Sequence, residues 1–336
     1  MDALPVSLVC TVRDEADNIA ELLDSMLVQS RLPDEIVIND CNSRDATPTI
    51  VERYIAAGHP IRLVHGGHNI PSGRNNAIRH ARGPLIACTD AGLTLDREWL
   101  ERITAPLQRG DADMVGGFFT PAPRSHFELA LAATNYRDAA EIVPAKFLPF
   151  GQSVAFRKQV WEAVGGYPEW ASHCEDIIFD LAVQQAGARC AFEPGALVSF
   201  RPRASLGAFA RQYFLYARGD GVAGLWPRRH ALRYGVYAVG TMLTFAARRR
   251  PWLVLALLAG SLAYTRKPVQ RLRRRAPALD AGELIHTVAY IPLIRVVGDL
   301  AKMLGYPVGR WRWLRSSALR RAVATYRNRA NSSQHG

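Results

Sequence analysis

The sequence predicts an α/β protein with a mostly parallel central sheet, followed by a basic helical region. Short β-branched runs alternate with helix-length amphipathic segments from residue 5 to about 120. Polar residues gather directly after the strand-like runs, where open parallel sheets bind ligands. The charge also changes sign along the chain. Residues 1–200 hold 17 basic and 26 acidic side chains, and residues 201–336 hold 25 and 4, so the formal +12 averages −9 and +21. All but four cations (Lys146, Lys158, Lys267 and Lys302) are arginine.

Taken in order, Val6–Val12 reads as a buried strand, followed by a helix that aligns Ile19, Leu22, Leu23, Met26 and Leu27. Residues 35–38 form a second strand ending in Asn39-Asp40, and a helix carries Thr49, Ile50 and Val51. Residues 61–64 form a third strand, residues 73–82 a helix, and residues 84–88 a fourth strand ending at Thr89-Asp90. Pro121, Pro123, Pro144 and Pro149 punctuate a loop-rich middle, and Glu175-Asp176 open another helix. No G-x-G-x-x-G follows the first strand, which disfavours a dinucleotide enzyme. The hydrophobic share of 49% over 336 residues excludes disorder through most of the chain, and the globular part closes near residue 225.

In the tail, apolar stretches at 231–247 and 252–264 are separated by Arg248-Arg249-Arg250-Pro251. Both fall at or below the usual length of a membrane-spanning helix. Arg228, Arg229 and Arg233 flank one side; Arg266, Lys267, Arg271 and Arg273 to Arg275 flank the other. Two crossings would strand three arginines on the far side, against the positive-inside tendency. A shallow hairpin held at headgroup level avoids that conflict. Residues 282–304 are apolar again and broken by Pro292; Trp311 and Trp313 then sit among arginines, an interfacial signature. The plainer alternative is a soluble helical cap with solvated arginines. No RRM or zinc-finger motif accompanies the basic tail, so anionic membrane lipids, not nucleic acid, are the expected partner. Five cysteines without a C-x-x-C pair read as reduced thiols of a cytosol-facing protein, and the N-terminus lacks a signal-peptide pattern. The expected place is the cytoplasmic face of the cell inner membrane.

The strand ends present Thr11-Val12-Arg13-Asp14-Glu15, Asp40-Cys41-Asn42-Ser43-Arg44-Asp45, Gly73-Arg74-Asn75-Asn76-Ala77 and Thr89-Asp90-Ala91-Gly92. Gly151-Gln152-Ser153, Gly165-Gly166-Tyr167 and Cys174-Glu175-Asp176 follow. This ordered series resembles the family 2 glycosyltransferases, which have the GT-A fold. The family pattern runs T/Y-x-N/R-E, D-D-G-S-x-D-x-T, R-N-x-G/A, D-x-D, G-G-[FY] and E-D, and the resemblance covers roughly residues 5–225. It implies a GT-A catalytic domain at 1–225 and a membrane-association region at 226–336. It implies that Thr11, Arg13, Glu15, Asp40, Arg74, Asn75 and Asp90 line the donor-nucleotide pocket, with Asp90 holding Mg²⁺ or Mn²⁺. Asp176, beside Glu175, would be the catalytic base; Gly151, Gln152, Gly166 and Arg218 would lie toward the acceptor or diphosphate. The implied activity is inverting transfer of one sugar from a nucleotide-sugar to a glycan or lipid-linked acceptor, in cell-surface polysaccharide or glycolipid synthesis.

The residues also carry plainer readings. Asp40 can accept from a nucleoside or cap its own turn with Ser43 and Asp45. Arg74-Asn75 beginning a helix suits phosphate or a simple salt bridge. Asp90 closes a buried run and needs a partner, while Glu175 and Asp176 suit a helix dipole. Gly92 stands where the family has its second D-x-D acid, and Ser199-Phe200 where many relatives have a histidine. A second enzyme reading is a polyprenyl-phosphate sugar synthase, which needs no base; the departures leave open a degenerate scaffold that binds sugar nucleotides.

Overall fold

Strands with both faces buried need long β-branched runs, and three such runs build the centre of the first unit. The computed structural model describes residues 3–332. Its elements are β1 (Val6–Val12), α1 (Ile19–Leu27), β2 (Glu35–Asp40), α2 (Thr47–Ala56), β3 (Ile61–His65), α3 (Ile70–His80), β4 (Leu85–Asp90) and β5 (Leu93–Leu95). Then come α4 (Trp99–Gln108), β6 (Met114–Pro121), α5 (His126–Asn135), two short 3-10 turns, β7 (Ser153–Arg157), α6 (Lys158–Val164), α7 (Glu175–Gln185) and β8 (Cys190–Phe200). The rest is helical: α8 (Leu206–Ala223), α9 (Pro227–Ala247), α10 (Leu253–Arg275), α11 (Ala281–Arg315) and α12 (Ser317–Ser332).

The eight strands form one sheet in the order β3-β2-β1-β4-β7-β6-β8-β5. β3, β2, β1 and β4 are parallel, whereas β7 runs antiparallel to both β4 and β6 and β5 antiparallel to β8. The expected mostly parallel sheet is thus a mixed one. Chain order reverses on either side of β1, the crevice where such sheets take ligands. Register lines up the strand ends there: Thr11 pairs with Asn39 on one side and Asp90 on the other. Thr89 pairs with Ser153, which brings the Gly151-Gln152 turn beside the end of β4. Ile19, Leu22, Leu23 and Met26 of α1 are fully buried, as their helical spacing requires.

Compact units do not divide at residue 225. The first comprises residues up to Thr120, Ile142–Phe200 and the stretch from Ala318; the second comprises Pro121–Glu141 and Arg201–Ser317. α12 therefore belongs to the sheet unit, where Tyr326 is buried and its hydroxyl donates to the Gly166 carbonyl (2.8 Å).

The second unit packs α5, α8, α10 and α11 around Leu131, Phe209, Leu272, Ile291 and Ile294. Pro292 does not break the apolar stretch as expected: α11 runs unbroken through Pro292 and Pro307. Part of the basic run also turns inward. Arg271 pairs with Glu141 (2.6 Å) and donates to the Ala133 carbonyl. Arg275 pairs with Asp138 (2.7 Å) and donates to Ala132 and Tyr136, while Arg274 pairs with Asp138 (2.6 Å). Arg271 and Arg275 satisfy carbonyls that the C-terminus of α5 would leave orphaned, in place of the headgroup contact expected of Arg271 and Arg275.

α8 and α11 cross with backbones in contact. A Cβ added to Gly305 or Gly309 of α11 would overlap the carbonyl oxygens of Phe214 and Arg218, respectively. Gly305→Ala or Gly309→Ala must force the helices apart and should cost about 1–3 kcal/mol, read from urea denaturation followed by circular dichroism. Unchanged midpoints would show that the crossing is not close-packed.

Candidate active site

α3 starts earlier than its sequence suggests. Asn69 caps it, accepting from the Ser72 amide (3.0 Å), while the Asn69 carbonyl accepts from Gly73 (3.0 Å). Arg74 and Asn75 therefore lie in the second turn, which corrects the expectation that they begin the helix and offer free amides to phosphate. The Asn75 side chain is also fully engaged. Its amide donates to the Tyr167 carbonyl (2.8 Å) and Glu169 (2.9 Å), and its oxygen accepts from Trp161 Nε1 (2.9 Å) and the Tyr167 amide (2.8 Å). Two donors and two lone pairs are all that an amide has. Asn75 thus clamps the Gly166–Tyr167 turn, and Gly166 is buried within that turn at φ +79°.

Arg74 reaches the site by its guanidinium, although the residue is only 2% exposed. Nη2 donates to Asp90 Oδ1 at 2.6 Å, and Nη1 lies 3.7 Å from Glu175 Oε1. The group sits over the Tyr167 ring, 4.8 Å from its centre. Gly151 passes so close that a Cβ there would stand 3.0 Å from Nη1. Nη1 itself has no hydrogen-bond partner among the described residues. Burial works against the charge of Arg74, and Asp90, Tyr167 and Glu175 more than offset it.

Glu175 and Asp176 open α7 behind Cys174, which takes a left-handed φ of +61°. Burial, then the charge of Asp176, pushes Glu175 up to about 8. Burial also raises Asp176, against the opposing pull of the Ile177 amide, Arg74 and the Gly151 amide. Asp176 accepts from Ile177 at 2.8 Å and from Gly151 at 3.4 Å, so both carboxylate oxygens are oriented. One turn on, Asp180 is 2% exposed and held protonated by burial, with one oxygen unpartnered. Sequence reasoning missed Asp180; its i+4 spacing from Asp176 was the available signal. Beneath the cluster, burial raises the Cys10 thiol and brings Cys88 to about 12, so both stay neutral.

At the other side of the crevice, Thr11 and Asp40 stand at the ends of β1 and β2. Asp40 is 3% exposed and accepts from the Ser43 amide (3.2 Å), the turn-capping alternative, with His65 Nδ1 at 3.5 Å. Thr11 Oγ1 is buried and unpartnered, and Arg13 is exposed beside Asp14. The Glu15 side chain accepts from Asn18 (3.1 Å). Sequence reasoning also passed over how the two loops are tied. Asp14 and Glu15 amides donate to Ser43 and Thr47, and the Ala16 amide donates to Asp45, at 2.8–3.0 Å. The S-x-D-x-T spacing was the signal, since short hydroxyl and carboxylate side chains bond nearby backbone. Gln152 is half-buried in the turn before β7. Arg218 lies on α8 in the second unit, where burial and the charge of Arg312 lower its pKa.

Among the described residues no group of three potential ligands surrounds a metal position. Asp90 nonetheless offers a hard oxygen: Oδ1 is held by Arg74, and the side chain is 38% exposed. Gly92 leaves the adjoining space open, with Glu15 Oε2 bordering it 4.0 Å from where a Cβ would stand. This suits a cation that takes few protein ligands and completes its shell with phosphate and water, as Mg²⁺ does.

Glu175 binds a proton in the folded state that the unfolded chain releases at an ordinary carboxylate pKa, so stability falls as pH rises from about 5 toward 8. Glu175→Gln removes this dependence. Its melting temperature relative to the unaltered chain should climb over that interval, and a constant offset would contradict the raised pKa.

Residues 7–158 match Glycosyl transferase family 2. Glycosyltransferase AglE of Haloferax volcanii is 23% identical over 222 residues, 64% of this chain and 72% of AglE. Succinoglycan biosynthesis protein ExoA of Rhizobium meliloti is 26% identical over 226 residues, 63% and 68% of the two chains. Among solved structures, the mannosyltransferase PcManGT from Pyrobaculum calidifontis, in complex with GDP-Man and Mn²⁺, aligns over 94% of this chain and 89% of that one. Its TM-score is 0.54 at 21% identity, a likeness of fold. With the crevice at β1, the acid pair and the ordered motifs, these matches identify the chain as a glycosyltransferase carrying a family 2 domain on the GT-A fold.

Proposed function

We propose that the enzyme transfers one sugar from a nucleotide-sugar to a glycan or lipid-linked acceptor, inverting the anomeric carbon, at an anionic membrane surface. The observation that carries this reading is the buried cluster in which an oriented acid, Asp176, stands near the Arg74–Asp90 pair. Asp176 takes the proton of the acceptor hydroxyl as its oxygen attacks the anomeric carbon. The bond to the diphosphate breaks, and the diphosphate leaves with the electron pair. Arg74, with one nitrogen lacking a partner, supplies positive charge where negative charge develops. Asp90 would hold a divalent cation with phosphate oxygens and water. The chemistry such a cation supplies is neutralisation of the departing diphosphate.

Membrane association is supported by the surface of the second unit. Leu232, Val236, Met242 and Phe245 of α9 and Leu255, Leu258 and Leu262 of α10 are each more than half exposed. Arg248, Arg249 and Arg250 join the two helices, a pattern that suits the headgroup layer of an anionic leaflet. By length and composition α11 could cross a membrane. It carries Arg295, Asp299 and Lys302 near its middle and packs along α8, so we read it as part of the bundle. The inferred setting is cell-surface polysaccharide or glycolipid assembly at the cytoplasmic face of the inner membrane.

Asp176→Asn should lower turnover by about two to four orders of magnitude while donor binding by calorimetry stays nearly unchanged. Retained turnover would remove Asp176 as the base. Asp90→Asn should weaken Mn²⁺ binding in the presence of GDP or UDP, followed by electron paramagnetic resonance, by roughly tenfold. Equal Mn²⁺ affinity in the two proteins would dismiss Asp90 as the ligand.

A further inference from the structure

We propose that the second unit holds a binding site for the phosphate or diphosphate head of a long-chain lipid, where α8, α9, α10 and α11 meet. The inference rests on the reading of a membrane-bound enzyme with a lipid-linked acceptor and names where that lipid is held.

α11 contributes Arg295, Asp299 and Lys302 at helical i, i+4, i+7 spacing, and α9 contributes Arg229, Arg233 and Tyr237 at i, i+4, i+8. The charge of Asp299 supports that of Lys302, against those of Arg233, Arg229 and Arg295. Its oxygens are already engaged: Arg233 donates at 2.8 Å, and the hydroxyls of Tyr237 (3.3 Å) and Tyr264 donate to the other oxygen. Among the described residues, Arg229, Arg295 and Lys302 have no carboxylate within ion-pair distance. Lys302 Nζ instead rests 4.5 Å over the Tyr213 ring, and the Arg295 guanidinium 4.4 Å over Tyr264. Arg295 Nε is buried without a hydrogen-bond partner among the described residues.

Four cations thus share one engaged carboxylate, an excess of three positive charges; Arg233, Arg295 and Lys302 are partly withdrawn from water, and Arg229 lies exposed beside them. Burial and the neighbouring arginines bring Lys302 down to about 8, a charge under repulsion. A phosphate with two negative charges and several acceptor oxygens relieves that repulsion and satisfies the open donors. The surroundings select a lipid as its source. Val236 on α9, and Val296 and Leu300 on α11, lie within three residues of these cations and are 43–59% exposed. An apolar chain attached to the bound phosphate covers such faces, which a free anion leaves wet.

The test compares binding to phosphatidylcholine vesicles doped with a polyprenyl monophosphate and to vesicles of equal charge doped with phosphatidylglycerol. The full chain should prefer the polyprenyl phosphate, and Lys302→Met should weaken that binding about tenfold, as expected for a lost charge-assisted hydrogen bond. Lys302→Arg should retain it, which guards against misfolding of the methionine variant. Equal binding to the two vesicle types, or an undiminished Lys302→Met protein, overturns the site. Inorganic phosphate or pyrophosphate binding as tightly as the vesicles overturns the lipid assignment. Asp176→Asn should keep the vesicle preference while losing turnover. If it keeps turnover as well, the catalytic reading fails and the lipid site stands.

Discussion

A guanidinium withdrawn from water among carboxyl groups governs the layout of the catalytic unit. Arg74 is almost wholly buried, and an uncompensated charge in that position costs on the order of several kcal/mol. Its neighbours come from separate parts of the chain: the paired carboxylate Asp90 from the end of β4, the carboxyl group of Glu175 from the start of α7, the Tyr167 ring from a glycine turn. Gly151 is small because the guanidinium occupies the place of its side chain. Fixing one charge therefore fixes four segments. Asn75, the next residue on α3, secures the arrangement by holding Tyr167 from both its amide and its carbonyl. Asp90 and the Glu175–Asp176 pair share one electrostatic balance through Arg74, so neither is adjusted alone.

The second unit applies the same principle differently. Its arginines divide into those that complete the fold and those left with spare charge. Arg271, Arg274 and Arg275 neutralise Asp138 and Glu141 and close the end of α5. Net charge counts all arginines alike, although those three are already committed within the protein. Other cations of the unit, among them Arg248, Arg249 and Arg250 in the turn after α9 and Arg295 and Lys302 in the middle of α11, carry no such pairing among the described residues.

Much of the catalytic unit was legible because its signals are local. β1, β2 and β4 are unbroken apolar runs, and the polar residues at their ends mark the crevice. Residues 190–200 lack such a run, since β8 is mostly half-buried, and the antiparallel half of the sheet was correspondingly hard to read. The roles of Arg74 and Asp90 were foreseeable in kind, since a charge at a buried strand end must be paired. Asn75 was not: its partners lie about 90 residues away, and a side chain that holds a turn reads like one that holds a ligand. The cap at Asn69 was hidden in a polar run, so the start of α3 was placed too late. In the tail, helix spacing was legible, but which arginines face carboxylates depends on packing between helices distant in sequence.

The path of the chain gives α12 a temporal meaning. Tyr326 closes over the Gly166 turn, yet the whole of α8–α11 separates it from the strands it joins. During synthesis the sheet unit waits for its last helix until the apolar helices have left the ribosome. The helical unit thus has the opportunity to pack before the Gly166 turn is buttressed. A chain that stalled within α11 would leave the sheet unit without its last helix, so the order of translation completes the helical unit before the sheet unit.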